Sequence, residues 1–240
     1  MPTGLGGEKL WLCPSLDDSA DDISGNGNHG TYNGGMGTVA DTSNGGTRAY
    51  SFDGSDDYIR VANDLTFTND FTISAYLRSD NPSILAGGAG NLLESSPFPQ
   101  NYFLYQYQGS WKGNVKFSGS SWTTVTGSSV VSGQWVHLAL VRSSVNSNIQ
   151  LYVNGSLYDT TSSSGSVVST PQMYFTVGAR AKSSTTADAF FDGRADDIRV
   201  FDRALSTSEI TALASKRGYE VPAAGGDIPH ALSSPFHPLG

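Results

Sequence analysis

Apolar and polar residues alternate from residue 71 to residue 78, which predicts a β-strand. Successive side chains of a strand point to opposite sides of a sheet, so every second residue shares a face. One face is expected to lie in the core and the other to be wetter. The predicted core face consists of Phe71, Ile73, Ala75 and Leu77, and the wetter face of Thr72, Ser74, Tyr76 and Arg78.

Residues 135–141 are apolar at almost every position, which predicts a strand covered on both sides. His137 lies within this segment. A hydrogen-bonded core histidine is the favoured interpretation of His137, and a catalytic histidine is the alternative. A further strand is predicted near the end of the chain, from Asp197 to Phe201.

Residues 149–159 have the pattern of a two-residue β-hairpin. Asn154 and Gly155 separate two segments rich in apolar residues, and both residues tolerate the positive φ angles of a type I′ turn. The sequence therefore predicts two antiparallel strands joined at this dipeptide.

One short helix is predicted from about Thr207 to Arg217. Ser206 and Glu209 have the spacing of a capping box, and flanking apolar residues at positions 205 and 210 supply a hydrophobic staple. Gly218 is expected to end the helix.

The composition fits many short strands joined by tight turns, because the chain contains 28 glycines and 38% hydrophobic residues. An all-β fold in one domain is therefore expected, formed by residues 1–219. Residues 220–240 form a tail rich in proline and glycine, which forms neither a helix nor an interior strand. We expect this tail to dock onto neighbouring subunits of an oligomer.

The formal net charge of −8 argues against nucleic acid as a partner, because nucleic-acid affinity depends on lysine and arginine. Cys13 is the only cysteine, so no intrachain disulfide forms, and a structural thiol is favoured over a reactive one. Neither a signal peptide nor a membrane-spanning segment is recognisable, so no membrane insertion is expected. A virion or particle surface is the expected location, with extracellular export by a route other than Sec as the alternative.

Five segments resemble, in order and spacing, laminin G-like domains of the concanavalin A-like superfamily. The resemblance implies a two-sheet antiparallel jelly-roll sandwich (concanavalin A-like) with one short C-terminal helix. It covers roughly Lys9 to Tyr219 and is typical of adhesion, glycan-binding and surface-display modules. The five segments are residues 22–30, 50–59, 133–142, 151–155 and 196–206, the last followed by Glu209 and Ile210.

The resemblance also implies a structural Ca²⁺ site, because similar modules often carry one calcium at the edge of the sandwich. Carried over by motif, its ligands would be Asp22, Asn28 and Asp197. Their oxygen atoms are of the kind that Ca²⁺ binds. The alternative is that these residues serve turns. The acidic segment from Asp53 to Asp57 is interpreted as a turn between strands rather than a second cation loop.

A cluster of aromatic residues is the candidate glycan site. Flat rings next to amide and hydroxyl groups suit the C–H faces and hydroxyls of sugars. The same pattern also suits a sandwich core or a subunit interface. Glycine- and serine-rich flanks suggest that the two tryptophans are the most exposed. The candidate glycan-binding residues are Tyr105, Tyr107, Trp111 and Trp122.

The sequence argues against catalysis. Glycoside hydrolysis on such a fold needs two carboxylates facing each other across the sugar. Only four glutamates occur, and none forms such a pair in sequence. Asp196 and Asp197 are adjacent, so a regular strand would point them to opposite faces. No nucleophile elbow or histidine-rich zinc motif is present. We therefore expect a protein that is not an enzyme.

Three functions remain as hypotheses. The first is a surface recognition or decoration module of a larger assembly such as a phage virion, which contacts glycans or cell-surface polysaccharide through its loops. The second is a stand-alone calcium-dependent lectin or adhesin. The third is a purely structural coat component that binds no ligand.

Overall fold

The computed structural model describes residues 4–61, 65, 67, 69–82, 86–91, 102–119, 122–168, 174–181 and 186–220, with only the backbone described at 86–91 and 181. The proposed docking tail lies outside these residues, except for Glu220. The described strands form two large antiparallel sheets and a two-stranded ribbon. The predicted all-β sandwich is thereby confirmed.

The first large sheet contains eight strands. Its spatial order is β13-β12-β11-β6-β17-β4-β3, and β1 also pairs with β17. The strands are β1 (Glu8–Leu12), β3 (Gly37–Ala40), β4 (Arg48–Asp53), β6 (Phe71–Ser79), β11 (Trp135–Ser143), β12 (Asn148–Val153), β13 (Ser156–Ser162) and β17 (Asp192–Phe201).

The second large sheet contains seven strands in the order β10-β9-β8-β7-β14-β5-β2. The strands are β2 (Gly30–Asn33), β5 (Tyr58–Val61), β7 (Ala86–Asn91), β8 (Tyr102–Tyr107), β9 (Ser110–Lys116), β10 (Trp122–Ser129) and β14 (Phe175–Val177). The ribbon pairs β15 (Arg180–Ala181) with β16 (Ala187–Asp188).

The main hydrophobic core lies between the two large sheets and contains the inward-facing residues of both. The sheets approach closely at Gly113, where a Cβ atom would lie 2.7 Å from a methyl group of Leu140. Two hydrogen bonds link the edge strands β10 and β13: Thr161 donates to the carbonyl of Thr124, and the Thr126 N–H donates to Asp159. The sandwich is thus closed along this edge by polar contacts.

The outer side of the eight-stranded sheet is covered by a second layer formed by the chain's N-terminal part and by the segment after β17. Residues Ala139, Val141 and Phe201 of the sheet pack there against Leu205, Ile210 and Leu213. The strand predictions for residues 71–78 and 135–141 are confirmed. The expected wetter face of β6 is wrong at Thr72, Ser74 and Tyr76, because this second layer buries all three.

The predicted hairpin is confirmed. β12 ends at Val153 and β13 begins at Ser156, and the two residues between them have φ angles of +49° and +80°. Positive φ at both central positions is what a type I′ turn requires.

The helix α1 spans Thr207–Leu213 and is shorter than predicted at its C-terminal end. The capping box of Ser206 and Glu209 is present, as the sequence indicated. Arg217 ends up outside the helix because its guanidinium group turns into the structure, where it donates to the carbonyl of Ser43 and pairs with Asp41. This buried ion pair replaces the last helical turn that propensity alone would predict.

Candidate ligand-binding face

Nine side chains on the outer side of β8, β9 and β10 form a surface that we call the β8–β10 face. Cross-strand pairing fixes its membership, because directly paired residues share a face. Lys116 pairs with Trp122, Lys112 with both Tyr105 and Thr126, and Asn114 with both Phe103 and Thr124. The face consists of Phe103, Tyr105, Tyr107, Lys112, Asn114, Lys116, Trp122, Thr124 and Thr126.

Three aromatic rings of this face contact one another. The centroids of Phe103 and Trp122 are 5.5 Å apart in an edge-to-face arrangement, and those of Phe103 and Tyr105 are 4.5 Å apart. Trp122 is partly exposed, Tyr107 is 41% exposed and Tyr105 is only 8% exposed. Trp122 and Tyr107 are therefore the aromatic residues available to a ligand, with Phe103 and Tyr105 supporting them.

Trp111 does not belong to this face, which corrects its prediction as an exposed glycan contact. It is 2% exposed and belongs to the core between the sheets. The reason is strand alternation: Trp111 lies on β9 one position before Lys112, so its side chain points to the opposite side. The flanking glycine and serine residues do not reveal this orientation.

Polar groups complete the β8–β10 face. The ammonium group of Lys116 lies 5.9 Å from the ring centroid of Trp122, and the Lys112 ammonium group donates to Thr126 at 3.3 Å. The side-chain carbonyl oxygen of Asn114 is buried and accepts no hydrogen bond in the described part of the chain. Burial raises the pKa of Tyr105, and a hydrogen bond with Asn114 opposes that rise. The face therefore offers aromatic rings and ammonium groups together, with the Asn114 amide buried beneath them.

The residues predicted to bind calcium are brought close to one another by Trp11. Asp22 accepts from the backbone N–H of Trp11 at 2.9 Å, and Asp197 accepts from its indole N–H at 2.7 Å. Asp22 also accepts from the N–H groups of Ser24 and Asn28. The Asp22 carboxylate thus organises the loop that follows β1.

Asp197 is similarly occupied. Its carboxylate pairs with the Arg199 guanidinium group at 2.8 Å and accepts from the Gly218 N–H at 3.1 Å. The Asn28 amide donates to the carbonyl of Lys9. Each carboxylate oxygen of Asp22 and Asp197 faces an N–H donor, and a cation would have to displace these donors to reach the oxygens it prefers. These donors compete with a cation for the same oxygens, and calcium at Asp22, Asn28 and Asp197 stays a prediction.

Asp196 and Asp197 lie on the same side of the sheet, which corrects the expectation that they point to opposite faces. The pairing of β17 with β6 shifts register between Asp196 and Arg199, and Asp197 has a φ angle of +50°. Such a bulge adds a residue to one strand and so interrupts alternation. The Asp196 carboxylate therefore pairs with Arg217, and the Asp197 carboxylate accepts from the N–H of the next residue, Gly218.

These buried carboxylates are not accessible to a substrate. Asp196 and Asp197 are buried beneath the second layer of the eight-stranded sheet. Burial raises the pKa of Asp196 to about 6, although a hydrogen bond from Ser15 opposes the shift. The Glu209 carboxylate accepts hydrogen bonds from Arg203 and from Ser206 at the start of α1. These hydrogen bonds lower the pKa of Glu209 to about 2, although burial would raise it. Glu94 lies outside the described residues.

His137 and Cys13 are structural, as the sequence indicated. The His137 Nε2 atom lies 2.8 Å from the Ser74 hydroxyl, and burial lowers the pKa of His137 to about 4. Cys13 is buried, and this burial raises the pKa of its thiol, with Asp197 and Asp196 adding to the shift. Neither group is exposed or activated for attack on a substrate.

The acidic segment from Asp53 to Asp57 forms the turn that was predicted between two strands. Its three carboxylates lie within 4.8 Å of one another. Asp57 accepts from the Asp53 N–H, and Asp53 accepts from the Ser55 N–H. Burial raises the pKa of Asp57, and the hydrogen bond from the Asp53 N–H opposes this rise. Through these hydrogen bonds, Asp53 and Asp57 stabilise the turn.

Sequence reasoning missed several residues of the β8–β10 face. Phe103, Lys112 and Lys116 were not singled out, although a signal for them was present. Positions 103, 105 and 107 alternate, and so do 112, 114 and 116. Aligning these two series across the tight turn at Gln108 and Gly109 would have placed them on one face.

The chain belongs to the concanavalin A-like lectin/glucanases superfamily, because the model of that family matches residues 53–211. No curated protein sequence matches the chain significantly. In the described part of the chain, no α-helix has the length and apolar character needed to cross a bilayer.

Solved structures share the fold at low sequence identity. Domain 4 of AbnA, a GH43 extracellular arabinanase from Geobacillus stearothermophilus solved in complex with arabinotriose, is 19% identical with a TM-score of 0.63, covering 86% of this chain and 98% of that one. The binding domain of Paraclostridial Mosquitocidal Protein 1 is 18% identical with a TM-score of 0.66, covering 87% of this chain and 52% of that one.

A third similar structure is the binding domain of Botulinum Neurotoxin DC in complex with SialylT. It is 14% identical with a TM-score of 0.65, and the match covers 87% of this chain and 51% of that one. The chain thus spans about half the length of these toxin binding domains. At such identities the similarity establishes the jelly-roll fold.

Proposed function

We propose that the protein is a non-catalytic glycan-binding module whose ligand-binding surface is the β8–β10 face. The observation that carries the proposal is the exposure of Trp122 and Tyr107 next to two lysine ammonium groups on the same side of one sheet. Aromatic faces pack against the C–H faces of sugars, while neighbouring amide and ammonium groups bind hydroxyls. Both kinds of contact are available within three adjacent strands.

The rigidity of this surface supports the proposal. β8, β9 and β10 are regular antiparallel neighbours, and Phe103 contacts the rings of both Tyr105 and Trp122. A ligand that binds preorganised side chains loses less free energy to ordering them.

Two of the similar structures favour a carbohydrate ligand. Domain 4 of the arabinanase was solved with arabinotriose, and one toxin binding domain was solved with SialylT. Those ligands belong to those proteins, and a shared fold does not transfer a ligand by itself. For this chain the support comes from the residues of the β8–β10 face.

The lack of a carboxyl group on the β8–β10 face supports a non-catalytic role. In the described strands, the adjacent carboxylates of Asp196 and Asp197 are buried and hydrogen-bonded rather than facing a cleft. Glycoside hydrolysis needs one carboxyl group to donate a proton and another to act on the opposite side of the sugar. The β8–β10 face contains no carboxyl group with which to do so.

A glycan array probed with the full chain and with Trp122→Ala tests the proposal. We expect the variant to lose roughly tenfold or more in affinity, which corresponds to about 1.4 kcal/mol. Tyr158→Ala is the matched control, because Tyr158 is an exposed aromatic residue (57% exposed) on β13 of the other sheet. We expect this control to bind normally.

Two results would contradict the proposal. One is the absence of binding to every saccharide by the wild-type chain, which would favour a structural role. The other is equal loss of binding in Trp122→Ala and Tyr158→Ala, which would move the ligand away from the β8–β10 face. Hydrolysis of a bound saccharide would overturn the non-catalytic part.

We further propose that this module decorates a larger assembly such as a phage virion, in which case it would lie on the particle surface. The tail that motivated this hypothesis lies outside the described residues, so oligomer formation and docking stay predictions. A stand-alone calcium-dependent lectin or adhesin is the alternative. The N–H donors around Asp22 and Asp197 count against that alternative.

A further inference from the structure

Charge is distributed unequally between the two large sheets. The seven described strands of the seven-stranded sheet contain no aspartate or glutamate, although the chain has 22 acidic residues. The same strands contain Arg60, Lys112 and Lys116. The strands of the eight-stranded sheet contain six acidic residues, three of them on β17. A chain with a net charge of −8 thus has one sheet whose strands carry only positive charge.

Two of these positive charges lie next to the exposed aromatic residues. Lys112 and Lys116 are separated by four positions on β9, so both point to the outer side of the sheet. Lys116 pairs directly with Trp122, and its ammonium group lies over the indole ring. Lys112 pairs directly with Tyr105. Both ammonium groups therefore border the proposed glycan surface.

Neither lysine is neutralised by a carboxylate in the described part of the chain. Lys112 donates to the Thr126 hydroxyl, and the Lys116 ammonium group contacts the Trp122 ring. The carboxylate of Asp159 lies at the rim, where it accepts from the backbone N–H groups of Thr126 and Thr160. By contrast, Lys9 on the other sheet pairs with Asp202 at 2.8 Å. The two ammonium groups of β9 remain available to an external anion.

We propose that the β8–β10 face binds an acidic saccharide, whose carboxylate or sulfate groups pair with Lys112 and Lys116 while a sugar ring packs on Trp122. This proposal rests on the proposed function and specifies its ligand class. Opposite charges on a ligand and its site strengthen binding and make it sensitive to salt. The acidic surface elsewhere would repel the same ligand, so binding is directed to this face.

Binding of an oligogalacturonate and of its methyl ester tests the carboxylate arm. The two probes share a sugar backbone and differ in charge. A heparin-derived tetrasaccharide and its desulfated counterpart test the sulfate arm in the same way. We expect the charged member of at least one pair to bind about tenfold more tightly, with an affinity that falls as salt is raised.

Three single variants localise the effect. Lys112→Gln and Lys116→Gln are expected to weaken binding of the charged probe about three- to tenfold and binding of the neutral probe by a smaller factor. Lys216→Gln is the matched control, because it changes the net charge by the same amount but alters an exposed lysine after α1. We expect Lys216→Gln to bind as the wild type does.

The possible outcomes separate this inference from the proposed function. Binding of neutral and charged probes with equal affinity, abolished by Trp122→Ala, would overturn the inference and keep the glycan-binding function. Equal weakening by all three lysine variants would also overturn it, because bulk charge would then explain the effect. Tighter binding of single-stranded nucleic acid than of any saccharide would contradict both.

Discussion

The outer sides of the two sheets use charged residues in opposite ways. On the eight-stranded sheet, charges are buried under a second layer and paired with one another, as Asp41 is with Arg217 and Arg194. On the seven-stranded sheet, the lysines of the β8–β10 face border solvent and have no carboxylate partner in the described part of the chain. Charged side chains therefore stabilise the structure on one side, and on the other side they remain available to a ligand.

This difference shows why a cluster of charged residues is a poor guide to function by itself. The group around Asp196, Asp197 and Arg199 has the residue types of an active site, but each of its carboxylates is occupied by internal donors. A buried charge is costly unless it is paired, so such pairs persist wherever the chain covers them. Availability to solvent, rather than residue type, separates the two sides.

The largest expected effect is on the buried side. Arg217→Met should lower the free energy of unfolding by about 3–5 kcal/mol, because it removes the buried guanidinium group that pairs with both Asp41 and Asp196. Hydrogen bonds from Arg194 and Ser43 contribute to lowering the pKa of Asp41 to about 2 despite burial, so this carboxyl remains charged. Urea denaturation measures the loss.

Lys112→Gln provides the comparison for Arg217→Met. It removes one positive charge from the open side and should change stability by no more than about 0.5 kcal/mol. A loss below about 1 kcal/mol for Arg217→Met, or equal losses for the two variants, would contradict the distinction between the two sides.

A second effect concerns acid stability. His137 is held neutral by burial, with its pKa lowered from 6.5 to about 4, whereas in the unfolded chain it becomes protonated below about pH 6.5. The contribution of His137 to the free energy of unfolding is therefore fully present above about pH 6.5. It falls by at most about 3 kcal/mol as the pH decreases towards 4. His137→Gln, which can still bond to Ser74, should abolish this component of the pH dependence.

The pH dependence that Asp196 contributes to stability has the opposite sign to that of His137, so the two contributions must be measured separately. Its pKa is raised to about 6, so its contribution is present at low pH and is lost as the pH rises through 6. The pH profile of wild type minus His137→Gln isolates the histidine, and a parallel Asp196→Asn series isolates the carboxyl group. Identical profiles for wild type and His137→Gln between pH 4 and 6.5 would show that His137 is not held neutral.

Local patterns predicted most of the fold. The Asn154-Gly155 turn and the Ser206/Glu209 cap depend on a few neighbouring residues, so their signals are complete within the sequence segment. The burial of Thr72, Ser74 and Tyr76 could not be predicted in this way. It depends on a second layer contributed by distant parts of the chain.

The candidate site was predicted only in part for a related reason. Tyr105, Tyr107 and Trp122 share a face, whereas Trp111 points into the core, and this depends on the register between strands. Composition gives the residue types of an aromatic cluster without their orientation. The bulge at Asp197 likewise reverses the orientation expected from strict alternation.

The most direct test of the central claim is a chemical-shift titration of the full chain with the oligosaccharide that binds most tightly on the array. We predict that the perturbed backbone amides cluster in β8, β9 and β10, with the largest changes around Lys112, Lys116 and Trp122, and that the amides of Asp22, Asn28 and Asp197 are unaffected. Perturbations concentrated on the loop after β1 or on the outer side of the eight-stranded sheet would contradict the account.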